Sequence, residues 1–198
     1  MKKLFVFGLL VSISYLMTAC INLETAEQKE QKVKERKEAI QEDIEKDLAE
    51  AKDPIGFRDL KKALPRNLAG VPFEGSEGQT SGFLGFKIST VEATYQEDHS
   101  TFEVTIVDVA GVGELVKSMA EWTEFEVDKE TRNGYERTTE IDGHPALEKY
   151  DNRREEGETS ILINDRFIIS IKGDGVSERQ MRNAVDDINL RKITKLGS

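Results

Sequence analysis

The first twenty residues constrain the rest of the chain most, because they end in its only cysteine, Cys20. Lys2 and Lys3 form a short basic start, and residues 4–17 are mostly apolar. This layout is typical of a secretory signal that is removed from the mature protein. Since the chain has no second cysteine for a disulfide, the exported domain must be stable from its hydrophobic core alone.

The end of this leader resembles the lipobox of type II signals, which are found in bacterial lipoproteins; the residues are Leu16-Met17-Thr18-Ala19-Cys20. Met17 occupies the place where that family usually has leucine. The resemblance implies that residues 1–19 are removed and that Cys20 then bears a diacylglyceryl group, often with a third chain such as palmitate. Two alternatives fit less well. A transmembrane helix needs about 20 apolar residues, and an ordinary secretory signal would leave Cys20 as a lone thiol.

The lipoprotein resemblance also implies a location, which is the bacterial cell envelope. Ile21 follows the cysteine, where the best-known sorting rule of this family associates aspartate with retention in the inner membrane. In a bacterium with two membranes, the expected location is therefore the periplasmic face of the outer membrane.

Charge excludes one class of partner. The formal net charge is −10, and removal of residues 1–19 takes away Lys2 and Lys3, which brings it to −12. Nucleic-acid binding depends largely on neutralisation of phosphates by Lys and Arg, so we expect no nucleic-acid partner. Adhesion of the domain to anionic headgroups is also disfavoured, which leaves the lipid on Cys20 as the expected contact with the membrane.

Residues 20–54 are interpreted as the lipidated N-terminus and a charged helical tether. From Ala26 to Lys52 the chain is dominated by strong helix formers and contains neither Gly nor Pro. Asp53-Pro54 then ends the helix. A thin apolar line through this segment leaves two interpretations open: a solvated spacer helix, or a coiled coil over 26–52 that binds a partner or a second copy. At 1.5 Å per residue the helix would reach on the order of 40 Å.

Residues 55–198 are predicted to form one α+β domain, with a largely antiparallel sheet and packed helices, preceded by the long charged helix. A short amphipathic helix is expected over 56–64. Alternation predicts strands over 90–95 and 101–106, and a helical pattern over 112–122 is expected to pack across them. Further strands are predicted over 125–127, 135–141, 146–150, 160–163 and 167–171, with a charged link over 151–158. Ser177 and Gln180 form a capping-box signature for a last helix.

This order of elements resembles that of PsbP-like domains, over about residues 86–190. The resemblance rests on element order and on no motif, and it implies no functional residue here.

Residues 65–86 are predicted to form a long loop, because they are rich in Gly, Ser and Pro. The loop carries Phe83, Leu84 and Phe86, which are expected either to pin it to the core or to form a mobile apolar flap. These three residues are the candidate ligand-binding loop.

No catalytic, cofactor-binding or metal-ligating residue is predicted. His99 and His144 lack the clustered spacing of metal ligands, and we interpret both as structural or surface residues. Gly111-Val112-Gly113 lacks the third glycine and the acidic partner of a dinucleotide fingerprint. The chain is therefore predicted not to be an enzyme.

Two functions remain as hypotheses. The preferred one is a protein-interaction module that positions another envelope protein through a face of the domain or through the tether. The alternative is a lipoprotein that holds a small apolar or lipidic molecule beneath the loop around Phe83 and Phe86. Arg153 and Arg154 with Lys149 form a compact basic spot, interpreted as a solvated loop or as a contact for an acidic partner.

Overall fold

The structure is a computed structural model, and it describes residues 52–83 and 86–197 together with the isolated positions 31, 34 and 46. The chain divides into residues 1–42 and residues 43–198, and the second unit holds the sheet. Its strands are β1 (Asn67–Leu68), β2 (Val71–Phe83), β3 (Phe86–Glu97), β4 (Ser100–Asp108), β5 (Asp128–Thr131), β6 (Gly134–Ile141), β7 (His144–Asp151), β8 (Glu156–Ile163) and β9 (Phe167–Asp174). Its helices are α1 (Phe57–Leu60), α2 (Gly113–Met119), α3 (Glu178–Asp187) and α4 (Leu190–Leu196). Short 3₁₀ turns, Lys61–Ala63 and Glu121–Glu124, follow α1 and α2.

The nine strands form one sheet in the order β1-β2-β3-β4-β9-β8-β7-β6-β5, and every neighbouring pair is antiparallel. Two meanders, β1–β4 and β5–β9, meet where β4 pairs with β9. The predicted antiparallel α+β class therefore holds in its coarse form, with a sheet that dominates over a few helices. The predicted long charged helix is not shown, since most of the tether lies outside the described residues.

The main core lies on one face of the sheet, beneath α1, α3 and α4. Side chains that alternate along β3, β4 and β9 are fully buried there; they include Val91, Tyr95, Phe102, Ile106 and Ile169. At about 25 cal/mol per Å² of apolar surface removed from water, burial of such side chains is the main favourable term in folding. Helices α1 and α3 pack on this face over β1, β2, β3, β8 and β9.

The seating of α3 on the sheet depends on two glycines. Gly157 and Gly173 are register partners on β8 and β9. A Cβ atom on either would lie within 2.5–2.6 Å of an atom of Met181, a residue of α3. The paired glycines therefore form a slot into which Met181 inserts. The predicted capping box at the start of this helix is confirmed, with Ser177 and Gln180 bonded reciprocally.

A smaller apolar cluster occupies one end of the opposite face. Val116 and Ala120, from α2 and the residue after it, pack with Val107, Leu162 and Ile168 of the sheet. The predicted helix after β4 is therefore confirmed, but it packs at one end of the opposite face and not across the apolar residues of 90–95 and 101–106. The 3₁₀ turn Glu121–Glu124 continues from this cluster to β7, with Trp122 packed against the cluster, and no other helix of the described part of the chain follows on this face.

The prediction of a loop over 65–86 is wrong for most of the segment that the structure describes. The segment forms β1 and the long strand β2, whose last residue Phe83 is the register partner of Phe86. The strand has no apolar alternation because it lies at the sheet edge and is largely exposed. Its pairing with β3 holds it in place.

Smaller boundaries also differ from the prediction. The strand expected over 125–127 begins at Asp128, and residues 156–158 of the expected charged link belong to β8. Helix α4 was not predicted, although Asn189 caps it by accepting a hydrogen bond from the Lys192 amide at 2.9 Å. Tight turns lie at Asp142-Gly143 and at Asn164-Asp165, where all four residues have positive φ.

Candidate functional site

The candidate site is the open face of the sheet, which we define as the face opposite α1, α3 and α4, outside the part covered by α2. Its defining feature is a row of charged residues in register across six strands, called here the charge ladder. From β5 to β4 the ladder reads Lys129, Glu136, Lys149, Glu158, Lys172 and Glu103. Positive and negative residues alternate without interruption.

Two of the five neighbouring pairs of the ladder lie within ion-pair distance. The Lys149 Nζ atom lies 3.1 Å from Glu136 Oε1, and Lys172 Nζ lies 4.0 Å from Glu158 Oε1. Cross-strand pairs of opposite charge contribute about 0.2–1 kcal/mol each. The ladder therefore aids strand alignment modestly and keeps its charged groups at the surface.

The ladder lines a depression of about 680 Å³ on the open face. Beyond the ladder, the depression is bordered by Thr101, Thr131, Asp151, Arg154 and Asp174. An acyl chain needs a largely apolar lining, whereas this lining is charged and hydroxylic. The arrangement is suited to ionic and hydrogen-bonding contacts with a polar surface.

The open face becomes acidic at its β2 end. Glu77 on β2 is the register partner of Glu92 on β3. Together with Glu74 and Glu103 they border a second depression of about 500 Å³. The charge balance of the ladder therefore gives way to a concentration of carboxylates beside the sheet edge.

A buried ion pair fixes the chain where the predicted tether enters the domain. Arg166 donates to Asp108 twice, from Nε to Oδ1 and from Nη2 to Oδ2, each at 2.9 Å. Asp108 is fully buried and also accepts the Ile55 amide at 2.7 Å and the Ala110 amide at 2.8 Å. Arg166 Nη2 donates in addition to the Asp53 carbonyl at 3.2 Å. This network ties residues 53–55 to the end of the sheet where α2 begins.

Among the described residues, three tyrosines and one arginine have shifted pKa values with structural causes. Burial raises the pKa of Tyr95 to about 12, and its hydroxyl donates to the Pro65 carbonyl. Burial, with smaller contributions from nearby carboxylates, also raises the pKa of Tyr135 and Tyr150. The hydrogen bond from Arg137 to Glu148 raises the pKa of that guanidinium. These shifts keep the phenols neutral and the arginine charged at pH 7, so none of them creates an acid or base poised for catalysis.

The residues singled out from the sequence lie apart from the charge ladder, with one exception. Phe83 and Phe86 are backbone register partners at the end of the β2–β3 hairpin, while Leu84 and Cys20 lie outside the described residues. Of the predicted basic spot, Lys149 belongs to the ladder and Arg154 borders the same depression, 3.6 Å from a Glu156 oxygen.

The two histidines considered in the sequence analysis lie in a turn and at the start of a strand. His99 is exposed in the turn between β3 and β4, and His144 is the first residue of β7. The described residues contain no group of three His, Cys, Asp or Glu side chains arranged to hold a metal ion.

Of the tether, Gln31, Lys34 and Lys46 are described, and all three are helical and exposed. None of the helices in the described ranges is both long and apolar enough to cross a bilayer.

The charge ladder was missed by sequence reasoning. Its members occupy exposed or half-buried strand positions that look like ordinary solvated charges one strand at a time. The alternation appears only when the strands are aligned.

Comparison with protein families, with curated proteins and with solved structures finds no match for this chain.

Proposed function

We propose that this chain is a lipid-anchored protein of the bacterial envelope whose domain is a protein-interaction module docking through the open face. One observation supports this most directly: helices α1, α3 and α4 pack on one face of the sheet, while the other presents a charge ladder across six strands. Alternating charges suit a partner surface of complementary pattern, because electrostatic complementarity gives specificity and fast association. The module binds and does not catalyse.

The anchor and the location complete the proposal. Cys20 carries the lipid, and stable attachment needs more than one acyl chain, which the diacylglyceryl group supplies. The tether over 26–52 holds the acidic domain away from the lipid surface and is also the segment through which two copies would associate. In a bacterium with two membranes, the domain faces the periplasm from the outer membrane. Its partner is another envelope protein.

The alternative function, binding of an apolar molecule near Phe83 and Phe86, gains no support from the described geometry. The two residues end a two-stranded hairpin, and the depressions on the open face have polar linings. We therefore favour the interaction module.

Removal of two of the three lysines of the ladder tests the proposal. We expect Lys149→Gln combined with Lys172→Gln, in the full chain expressed in its native envelope, to lower the recovery of a co-purified partner about tenfold. That loss corresponds to about 1.4 kcal/mol of binding free energy. Glutamine keeps most of each side chain while it removes the charge, so the fold is retained. The measurement is quantitative mass spectrometry of proteins captured after cross-linking.

The matched control places the same charge change on α4, as Arg191→Gln with Lys195→Gln, two exposed residues on the side of the sheet covered by helices. This control should leave recovery unchanged. Equal loss of the partner in both double variants would indicate a general effect of net charge and would contradict docking through the open face.

A further inference from the structure

The outer edge of β2 is open along most of its length. Only its first residues pair with β1, through Asn67 to Pro72 and Leu68 to Val71. From Gly75 to Phe83 the strand pairs with β3 on its inner side, and no other described strand pairs with its outer side. Gly75 to Phe83 therefore present a strand edge, apart from the Ser76 carbonyl, which already accepts a hydrogen bond from Lys61.

The outward backbone groups of this edge can be identified. Lys61 Nζ donates to the Ser76 carbonyl at 2.8 Å. Since that lysine comes from the 3₁₀ turn after α1, outside the β2–β3 pair, the Ser76 carbonyl points away from β3. In an antiparallel pair the outward-directed residues alternate. Gly78, Thr80 and Gly82 therefore direct their N–H and C=O groups to the outer edge as well.

The two edges of the sheet are protected to different degrees. At the other edge β5 has four residues, all exposed, of which three are charged. Short, charged edge strands discourage the addition of further strands. Between Glu74 and Phe83, by contrast, β2 contains no Lys, Arg or Pro. Its protective features are a bulge between Phe73 and Gly75 and the carboxylates of Glu74 and Glu77, which discourage an acidic strand but not a basic one.

The side chains beside this edge carry uncompensated negative charge. Glu77 and Glu92 are direct cross-strand partners, and both are exposed. Neither forms an ion pair with any residue in the described ranges. Like charges directly opposite one another destabilise a sheet, so this arrangement lowers the stability of the free domain. A basic partner strand would relieve the repulsion.

We propose that the β2 edge accepts, by strand addition, an extended segment of the partner protein with Lys or Arg at alternate positions. Backbone hydrogen bonds to Gly78, Thr80 and Gly82 would supply affinity. Contacts to Glu77 and Glu92 would select the basic sequence. This inference rests on the proposed interaction function and names part of the partner. A second copy is a poorer occupant, because β2 itself carries Glu74 and Glu77 and would place like charges together.

The test measures binding of a fluorescent peptide to the full chain. The peptide is as long as this edge, and lysine and threonine alternate along it. We expect saturable binding by fluorescence anisotropy. Glu77→Lys should weaken it at least about tenfold, and the exposed control Glu126→Lys should not change it. A peptide with N-methyl groups on alternate residues, which cannot donate backbone hydrogen bonds, should not bind. In the free domain Glu77→Lys creates an opposite-charge pair with Glu92 and should raise Tm by about 1–4 °C.

Equal binding of the N-methylated peptide would overturn strand addition, since only charge attraction would then be at work. The inference would also be overturned if Glu77→Lys left the affinity unchanged or if the peptide did not bind. Self-association of the free chain through β2 would overturn it as well. The proposed function is judged separately by the ladder variants Lys149→Gln and Lys172→Gln. If these variants lower partner recovery while the peptide fails to bind, strand addition at β2 is contradicted and the interaction function is supported.

Discussion

Replacement of Arg166 by methionine should lower the free energy of unfolding by about 3–5 kcal/mol, because it leaves the fully buried Asp108 carboxylate without its cation. Methionine resembles the arginine stem in volume, so the loss comes from charge and hydrogen bonding and not from a cavity. For a domain of this size the loss corresponds to a fall in Tm of more than about 6 °C. Urea unfolding followed by circular dichroism measures it.

An exposed arginine provides the control. Arg182 forms an ion pair with Glu178 one turn earlier on α3, where the arginine side chain is about half exposed. Such pairs contribute about 0.3–0.5 kcal/mol, so Arg182→Met should shift the unfolding midpoint little. If both substitutions had the same small effect, the Asp108–Arg166 pair would have no special role in stability.

The double variant Asp108→Leu with Arg166→Met separates the charge from the rest of the network. Buried ion pairs can often be replaced by apolar residues with little loss. Here the amides of Ile55 and Ala110 would lose their acceptor, so we expect recovery of only part of the lost stability. The remaining deficit measures how strongly this network holds the entry of the tether.

Replacement of Cys20 by alanine should abolish incorporation of labelled palmitate and release the chain from the membrane fraction. Each buried CH₂ of an acyl chain contributes about 0.8 kcal/mol to membrane binding. An acidic domain without its acyl chains has no comparable attraction to anionic lipid. Metabolic labelling followed by fractionation of the envelope measures both effects.

A change elsewhere in the leader serves as the control. Ser14→Ala leaves the basic start, the apolar run and the cysteine in place, and it should be labelled like the unaltered chain. Labelling that persists in Cys20→Ala, or an unaltered chain that never takes up palmitate, would contradict the proposed anchor.

The sequence was sufficient to predict the elements whose pattern is local. The alternation in β3 and β4, the helical spacing in α2 and the capping box of α3 each depend on residues a few positions apart, and each is confirmed. β2 could not be predicted in this way, because its Gly- and Ser-rich sequence has no buried face of its own. Its strand conformation comes from pairing with β3 and from α1, where Phe57 lies against Gly78.

The candidate site was harder to predict, because it depends on pairing between distant segments. Glu103 and Lys172 become neighbours only when β4 pairs with β9, and Lys129 joins the row through four further strand pairs. No local pattern specifies those registers. The buried Asp108 and Arg166 were missed for the same reason, since 58 positions separate them. Single charged residues in strands are usually solvated, and that interpretation was reasonable before the strands were aligned.

Site-specific photo-cross-linking in living cells tests the central claim most directly. A photoreactive amino acid is placed at Lys172, on the open face, or at Arg191, an exposed residue of α4. The account predicts that the probe at Lys172 captures one discrete envelope protein and that the probe at Arg191 does not. Capture of the same protein from Arg191 alone, or of no protein from Lys172, would contradict docking through the open face of the sheet.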